Sequence, residues 1–156
     1  MSRLRVEALS AATHDAVRQL ILAGLADHWG ELDETLNPDL DNLFESYGHG
    51  RTLVVLDEHE AVIGTGTIVP RGDRTAEILR MSVSRAQRRG GVGRMLVDEL
   101  IAIACGWLCD RVILETSTAW TEVVTFYQYC GFAITHLEDG EFGSDTWFER
   151  RIGPDT

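Results

Sequence analysis

The sequence predicts an α+β fold, with strands and helices in the order β-α-α-β-β-β-α-β-α-β-β within a single domain over residues 1–156. Three observations predict it. A chain of 156 residues is long enough for one hydrophobic core but too short for two. Hydrophobic residues make up 44% of the chain and charged residues 25%, which is typical of folded globular proteins. Apolar residues recur every second position in some segments and at three- and four-residue steps in others, as in strands and helices respectively.

The first elements are one strand and two helices. Residues 3–9 alternate weakly between polar and apolar, as in a short strand. Thr13 is the expected N-cap of a helix whose apolar residues recur up to Gly30. A second helix is expected over residues 37–48, because it opens with asparagine followed by proline and carries an apolar face.

Three strands follow. Residues 53–56 and 61–69 are apolar, β-branched runs separated by a polar tetrapeptide, which predicts a hairpin. A turn at residues 71–73 leads to the third strand, over residues 75–83.

Helices and strands alternate in the second half of the chain. Residues 92–107 place apolar residues on one face of a long helix, and a buried strand is expected at 111–115. A helix over about 118–129 and strands at 132–137 and 146–152 complete the predicted order.

Charge is unevenly distributed along the chain. The net charge is −11, all 14 basic residues are arginine, and the acidic balance makes general nucleic-acid binding unfavourable. Residues 27–45 carry seven acids and no arginine, whereas residues 80–94 carry five arginines and no acid. This pattern indicates either two solvated faces or an anion site beside a site that attracts a cation.

Several features indicate the cellular compartment. No segment approaches the ~20 apolar residues that a membrane-spanning helix needs, and the N-terminus lacks the apolar core of a signal peptide. Three cysteines, an odd number, argue against a disulfide framework. Cys105 and Cys109 have no further ligands at metal spacing, so no metal site is expected. We therefore expect a cytoplasmic protein that does not bind membranes.

The segment with most chemical information is a turn rich in glycine and arginine that joins a strand to a helix. Glycines 90, 91 and 93 let backbone N–H groups converge at the positive end of the helix dipole. Arginines 85, 88, 89 and 94 add planar donors suited to phosphate. The turn therefore predicts an anion site, the alternative being a plain turn with solvated arginines. A P-loop is excluded because the chain has no lysine, and Leu96 disfavours the dinucleotide pattern, which needs glycine or alanine there.

Two motifs resemble those of the Gcn5-related N-acetyltransferases (GNAT). Residues 88–93 fit Gln/Arg-x-x-Gly-x-Gly/Ala, directly after a strand and before an amphipathic helix. Residues 126–132 resemble the family's Phe-Tyr-x-x-x-Gly-Phe. The resemblance covers nearly the whole chain, although residues 13–50 match only in layout. It implies a twisted, mostly antiparallel sheet of six or seven strands with about four helices.

The resemblance also implies acetyl-CoA as the acetyl donor. Backbone N–H groups from residues 87–94 would bind its pyrophosphate, and backbone groups of Met81 and Val83 would pair with its pantetheine arm. In this family the strand 75–83 carries a bulge and splays from the strand that begins at residue 111, which leaves a cleft. The donor-binding residues that the resemblance implies are Met81, Val83, Gln87, Arg88, Arg89, Gly90, Gly91, Val92, Gly93, Arg94 and Phe126.

Acetyl transfer to an amine needs a proton acceptor for the amine and a proton donor for the departing thiolate. Glu77 is the expected base, because it precedes the donor-binding stretch where several family members place theirs, and Glu115 is a second candidate. Tyr127 matches the family tyrosine that often acts as the general acid. Glu77 and Tyr127 also have structural interpretations: Glu77 as a glutamate on the strand surface, and Tyr127 as a packed aromatic ring. His28 and Trp29 have a lesser claim to line the acceptor site.

Together these features predict an N-acetyltransferase that transfers the acetyl group to a primary amine by direct attack. A non-catalytic module that binds acyl-CoA is the alternative. The acidic stretch suggests a cationic acceptor, either a small molecule or a protein, and a homodimer is possible as in related families.

Overall fold

The computed structural model describes residues 3–29, 37–88, 90–141 and 143–153, with only the backbone described at 28 and 29. The strands in these ranges are β1 (Arg5–Ala8), β2 (Arg51–Leu56), β3 (Val62–Gly72), β4 (Thr75–Val83), β5 (Arg111–Ser117), β6 (Ala133–Gly140) and β7 (Gly143–Arg151). The α-helices there are α1 (His14–Trp29), α2 (Leu43–Tyr47), α3 (Val92–Gly106) and α4 (Thr121–Tyr129). Short 3-10 helices occupy Pro38–Asp41 and Arg85–Gln87.

All seven strands form one sheet in the order β1-β2-β3-β4-β5-β7-β6. Every neighbouring pair is antiparallel except β4 and β5, which are parallel and joined by the crossover helix α3. The predicted α+β order and the mostly antiparallel sheet are confirmed. Within the described ranges, no helix combines the length and apolar character needed to cross a bilayer.

Helices cover both faces of the sheet. On one face α3 and α4 pack in a core that includes Leu100, Tyr127 and Phe148. On the other face α1 and α2 bury Val17 and Leu43 against β2. The two faces therefore provide separate surroundings for residues that alternate along a strand.

Glycines in β3 let α3 lie close to the sheet. A Cβ at Gly64 would lie 2.8 Å from Cγ1 of Val92, and a Cβ at Gly66 would lie 2.5 Å from Sδ of Met81. Side chains at these positions would push the helix or Met81 away, so the two glycines fix the distance between α3 and the sheet.

The predicted helix over residues 37–48 is two helices in the structure. A 3-10 helix ends at Asp41, and Asn42 has extended backbone dihedral angles of −145° and 96° before α2 begins. The Asn42 side chain then accepts a hydrogen bond of 3.2 Å from the N–H of Glu45, as an N-cap does. The apolar pattern continues across this break, which explains why the sequence predicted a single element.

The last helix begins later than predicted, at Thr121 instead of residue 118. Thr118 is held by β7: its N–H donates to the Ser144 carbonyl at 2.8 Å, and its hydroxyl lies 2.8 Å from that of Thr146. These contacts keep Thr118 in the loop before α4.

Strands β4 and β5 separate after a short paired segment. Their described pairing covers Thr75, Ala76 and Glu77 of β4, although β4 continues to Val83. The second half of β4 therefore presents a backbone edge to a gap between the two strands. This gap confirms the splay that the family resemblance implies.

The same half of β4 carries a β-bulge. Thr67 pairs with Leu79, but Thr65 pairs with Ser82, so one residue of β3, Gly66, faces two residues of β4. These two residues are Arg80 and Met81, and Arg80 has a φ of +53°. The bulge implied by the resemblance is thus confirmed, at the position where β4 borders the gap.

Candidate active site

The glycine-arginine turn forms a set of convergent backbone donors at the start of α3. Gly91 has a φ of +87°, and its carbonyl accepts the first helical hydrogen bond, 3.0 Å from the N–H of Met95. The N–H groups of Val92, Gly93 and Arg94 precede this bond, so they have no intrahelical acceptor. They point out of the helix end that favours negative charge, which suits a phosphate group.

Two neighbouring residues define the shape of this end. A Cβ at Gly93 would lie 3.0 Å from Cζ of Phe126, so the ring of Phe126 in α4 fills the space beside the helix start. Val92 is only 1% exposed and packs in the core, so it can offer a ligand only its backbone. Before them, the N–H of Gly90 donates to the Gln87 carbonyl at 3.1 Å and closes the turn.

The arginines of this turn pair with the end of α1. Arg85 and Arg88 each contact one carboxylate oxygen of Asp27, at 3.2 and 3.0 Å. Arg88 also donates through Nε to the Val83 carbonyl at 3.2 Å. Residues of the acidic stretch and of the arginine-rich stretch thus neutralise each other here, instead of forming two separate charged surfaces. The predicted donor-binding residue Arg89 lies outside the described residues.

Arg94 combines an aromatic contact with an unused donor. Its guanidinium lies 5.1 Å from the centre of the Tyr129 ring, which is 73% exposed. Its Nε is 3.6 Å from Asp98 and has no hydrogen-bond acceptor among the described residues. An arginine donor beside the N-terminus of α3 adds to the anion-binding character of this end.

Met81 is one of the two bulge residues of β4, and Val83 lies two residues beyond it. The Met81 side chain packs under α3 and contacts two clusters of buried residues there, one that includes Leu100 and one that includes Val92. Val83 pairs with Gly64 of β3, and β4 ends there, directly before the glycine-arginine turn. The unpaired half of β4 is therefore followed along the chain by the turn that carries the convergent N–H groups.

Glu77 is the last residue of β4 that pairs with β5, and it is 7% exposed. Its neighbours Ala76 and Ile78 pack in the α3–α4 core, so strand alternation places Glu77 on the opposite face. Nε of Arg71 donates to Oε1 of Glu77 at 2.8 Å, and no other hydrogen bond to this carboxylate is formed by the described residues. The other carboxylate oxygen of Glu77 therefore has no hydrogen-bond donor among the described residues.

Glu115, the second candidate base, belongs to a row of acids on the Glu77 face. It is exposed on β5 opposite Trp147, and Asp145 and Glu138 lie on the same face two positions further along the ladder. Partial desolvation, together with the charges of Asp145, Glu77 and Glu138, raises the pKa of Glu115. A cation bound on this face would be attracted by the same carboxylates.

Tyr127 lies in α4 on the opposite face and is 6% exposed. Its ring packs against Phe126, Phe132 and Phe148, with centroid distances of 5.2, 6.0 and 5.8 Å. Burial raises the pKa of its hydroxyl, which therefore keeps its proton near neutral pH. The described residues supply no hydrogen-bond partner for the hydroxyl. Tyr127 and Glu77 lie on opposite faces of the sheet.

The histidines and the other possible metal ligands add nothing to this site among the described residues. The side chains of His28 and Trp29 lie outside the described part of the structure. Among the described residues, no group of three or more His, Cys, Asp and Glu side chains is placed to hold a metal ion. His14 has a structural contact, since its Nε2 accepts the N–H of Leu43 at 3.0 Å.

Sequence reasoning missed two ion pairs in this region. The Arg71–Glu77 pair could have been found, because a hairpin turn at residues 72–74 brings 71 and 77 to adjacent strands. The pair between Arg80 and Asp39 joins residues 41 positions apart, and no local signal indicates it.

Comparisons with known proteins agree with this architecture. The profile of the acetyltransferase (GNAT) family matches residues 15–132. The chain is similar to Probable N-acetyltransferase 14 of Xenopus tropicalis, with 29% identity over 102 residues, which cover 64% of this chain and 50% of that protein. The chain therefore spans about half the length of this curated relative.

Solved structures share the fold at low sequence identity. A GNAT-family acetyltransferase from Staphylococcus aureus Mu50 is 18% identical, with 96% of this chain and 99% of that chain covered and a TM-score of 0.85. An acetyltransferase from Bacillus subtilis, in complex with CoA, is 19% identical, with 96% and 99% covered and a TM-score of 0.77. Because the family match extends over well more than half of the residues and includes both the glycine-arginine turn and α4, this chain belongs to the GNAT family of acetyltransferases.

Proposed function

We propose that this chain is an N-acetyltransferase that transfers an acetyl group to a primary amine by direct attack in a ternary complex. Acetyl-CoA is the acetyl donor. The observation that carries the proposal is a pair of features: β4 continues beyond Glu77 without pairing to β5, and three N–H groups without intrahelical acceptors lie at the start of α3. An extended chain fits along the backbone edge of β4, and a pyrophosphate fits at the helix end.

The residues of these two features fit acetyl-CoA on physical grounds. The N–H groups of Val92, Gly93 and Arg94 would bind the pyrophosphate, and the Arg94 guanidinium adds positive charge at the same helix end. When bound, acetyl-CoA supplies the acetyl group as a thioester. Backbone groups at Met81 and Val83 would hold the pantetheine arm and orient it along β4.

Glu77 is proposed as the base. An amine that is protonated in solution must lose a proton before it can attack, and the Glu77 carboxylate would accept it directly or through water. The position of Glu77 at the point where β4 and β5 separate supports this role, as does its oxygen left without a hydrogen bond among the described residues.

Glu77→Gln is expected to lower kcat roughly 10²-fold, toward the lower end of general-base contributions, because solvent can accept part of the proton flux. Glutamine keeps the size of the side chain and can still accept a hydrogen bond from Arg71. The matched variant is Glu115→Gln, which removes the neighbouring carboxylate. Steady-state rates over a pH series decide between them: a large loss in Glu115→Gln with Glu77→Gln unaffected would assign the base to Glu115.

Tyr127 is proposed as the acid that protonates the departing thiolate. Its hydroxyl is protonated at neutral pH, and its ring is fixed by the aromatic cluster of α4. Because Tyr127 and Glu77 lie on opposite faces of the sheet, proton acceptance and donation would occur on opposite sides of the reacting atoms.

The acceptor is proposed to be cationic. Asp27 and Asp39 of the acidic stretch are paired with arginines, so they contribute little net attraction. The carboxylates of Glu115, Glu138 and Asp145 line the Glu77 face instead, and an ammonium group approaching Glu77 would pass them. This arrangement favours amines that bear positive charge at neutral pH.

The KM of the acceptor is accordingly expected to rise with salt concentration. The KM of acetyl-CoA should also rise, but only because salt screens the charges of its phosphates. Exposed charges more than about 10 Å apart are largely screened at 0.1 M salt. A salt series on the identified amine tests this, with Glu138→Gln as a variant that should flatten the response. A neutral acceptor with a flat salt response would contradict the proposal.

A single assay separates the proposed enzyme from a binding module. The purified chain is mixed with acetyl-CoA and a panel of amines, and release of free thiol is followed, with calorimetric titration of acetyl-CoA in parallel. Binding with amine-dependent thiol release supports the enzyme. Binding without release across the panel supports the non-catalytic module, and failure to bind acetyl-CoA would exclude both.

A further inference from the structure

A polar network fastens the bulge of β4 to the helices on the opposite side of the sheet from α3. Nε and Nη2 of Arg80 donate to the two carboxylate oxygens of Asp39, at 2.9 and 2.7 Å. Nη2 also donates to Oδ1 of Asn37 at 3.1 Å, and the hydroxyl of Tyr47 donates to Asp39 at 2.5 Å. Arg80 of the bulge is thereby bonded directly to Asn37 and Asp39, and Tyr47 in turn holds Asp39.

This network is more enclosed than most ion pairs of the molecule. The side chains of Arg80 and Asp39 are 23% and 25% exposed. Burial alone would raise the pKa of Asp39, but the hydrogen bonds from Arg80 and Tyr47 outweigh it and lower that pKa. A two-point arginine–carboxylate contact of this kind restricts the geometry of both partners more than a surface pair does.

The backbone of Arg80 needs such support. Its φ of +53° lies in the left-handed region, which side chains with a Cβ rarely adopt and which persists where the surrounding structure enforces it. On one side of the bulge Gly66 leaves room for Met81 beneath α3. On the other side the only hydrogen bonds to the Arg80 side chain among the described residues are those to Asp39 and Asn37.

We propose that Arg80 and Asp39 are positioning residues, which hold the β4 bulge so that the backbone edge beyond it is correctly placed for the acetyl-CoA thioester. The inference rests on the proposed function, because it concerns how the same site is built. Neither side chain touches the reacting atoms in this proposal. Each acts through the backbone of Met81, which shares the bulge with Arg80, and of Val83, which follows it.

A purely stabilising ion pair predicts different behaviour. Loss of such a pair would lower the melting temperature and leave kcat and acetyl-CoA affinity of the folded protein unchanged. A positioning role instead predicts that function depends on how well residue 80 adopts a positive φ. Glycine adopts this conformation without a steric penalty, whereas alanine does not.

The experiment compares Arg80→Ala with Arg80→Gly, using calorimetric affinity for acetyl-CoA and steady-state rates. Both variants lose the anchor, but only alanine keeps the penalty for the left-handed conformation. We expect Arg80→Ala to lose at least about tenfold in kcat and to bind acetyl-CoA more weakly, and Arg80→Gly to recover about fivefold or more of that loss. Arg5→Ala is the control, because it removes a two-point pair with Glu60 far from the gap.

A double-mutant cycle tests Asp39 and covers the case in which Arg80→Ala fails to fold. Asp39→Asn is expected to lower kcat several-fold in the parent but to have little effect in the Arg80→Gly background, because Asp39 acts only through Arg80. Equal losses in both backgrounds, or equal kcat in Arg80→Ala and Arg80→Gly, would overturn the inference.

The outcomes also separate this inference from the proposed function. If the parent binds and uses acetyl-CoA while folded Arg80→Ala stays within about twofold of it, only the positioning role fails. If the parent does not bind acetyl-CoA, the proposed function fails and the positioning role falls with it.

Discussion

Tyr127→Phe is expected to bind acetyl-CoA nearly as well as the parent and to lose about 10²–10⁴-fold in kcat, which is the usual contribution of a general acid. Phenylalanine keeps the ring and its contacts with Phe132 and Phe148, so the aromatic cluster of α4 should survive. The change removes only the hydroxyl, which keeps its proton at neutral pH and is the group that would donate it to the thiolate.

The matched control is Tyr129→Phe, two residues along the same helix. Tyr129 is exposed and contacts Arg94 through its ring face, which phenylalanine retains. The kcat of the Tyr129→Phe enzyme should therefore stay at the parent level. Melting curves accompany the rates of both variants. A Tyr127→Phe enzyme with kcat within about twofold of the parent would assign Tyr127 a packing role, and a truncation such as Tyr127→Ala would then act through stability alone.

The glycine-arginine turn could be predicted from the sequence because its conformation depends on local residue type. Gly91 adopts a φ of +87°, which residues with a Cβ disfavour, and a Cβ at Gly93 would lie 3.0 Å from the ring of Phe126, closer than most such contacts. The positive φ at one position and the close ring at the other both favour glycine, so the turn is visible in the sequence as two glycines at a fixed spacing. The position of Tyr127 on α4 and of Glu77 on β4 followed for the same reason, since strand and helix periods are local signals.

The partners of the charged residues could not be predicted in this way. Arg88 and Asp27 are 61 positions apart, and Arg80 and Asp39 are 41 apart. Counts of acids and arginines indicated two charged surfaces, but which charges meet depends on how α1 and the following 3-10 helix pack across β4. The break at Asn42 was equally hidden, because asparagine fits a polar face of one long helix as well as the N-cap of a new one.

Gly91→Asp is expected to abolish acetyl-CoA binding. Aspartate would have to adopt the φ of +87° that glycine has, at a cost of roughly 1–2 kcal/mol, and would place a carboxylate where the pyrophosphate should bind. Gly93→Asp should have the same result, because its side chain would also collide with Phe126 at the start of α3. Electrostatic repulsion at a helix N-terminus that otherwise attracts anions accounts for most of the expected loss.

Calorimetric titration with acetyl-CoA measures this effect, and Gly72→Asp is the matched control. Gly72 has a φ of +83° at the end of β3, beside the start of β4 and away from the glycine-arginine turn, and a Cβ there would meet nothing within 4 Å. This variant therefore carries a similar backbone strain and the same added charge away from the predicted pyrophosphate site.

If Gly91→Asp and Gly93→Asp fold and bind acetyl-CoA with the parent's affinity, the start of α3 is not the pyrophosphate site. A loss shared equally by Gly72→Asp would attribute the effect to strain and net charge, whereas a loss confined to residues 91 and 93 assigns it to the convergent N–H groups.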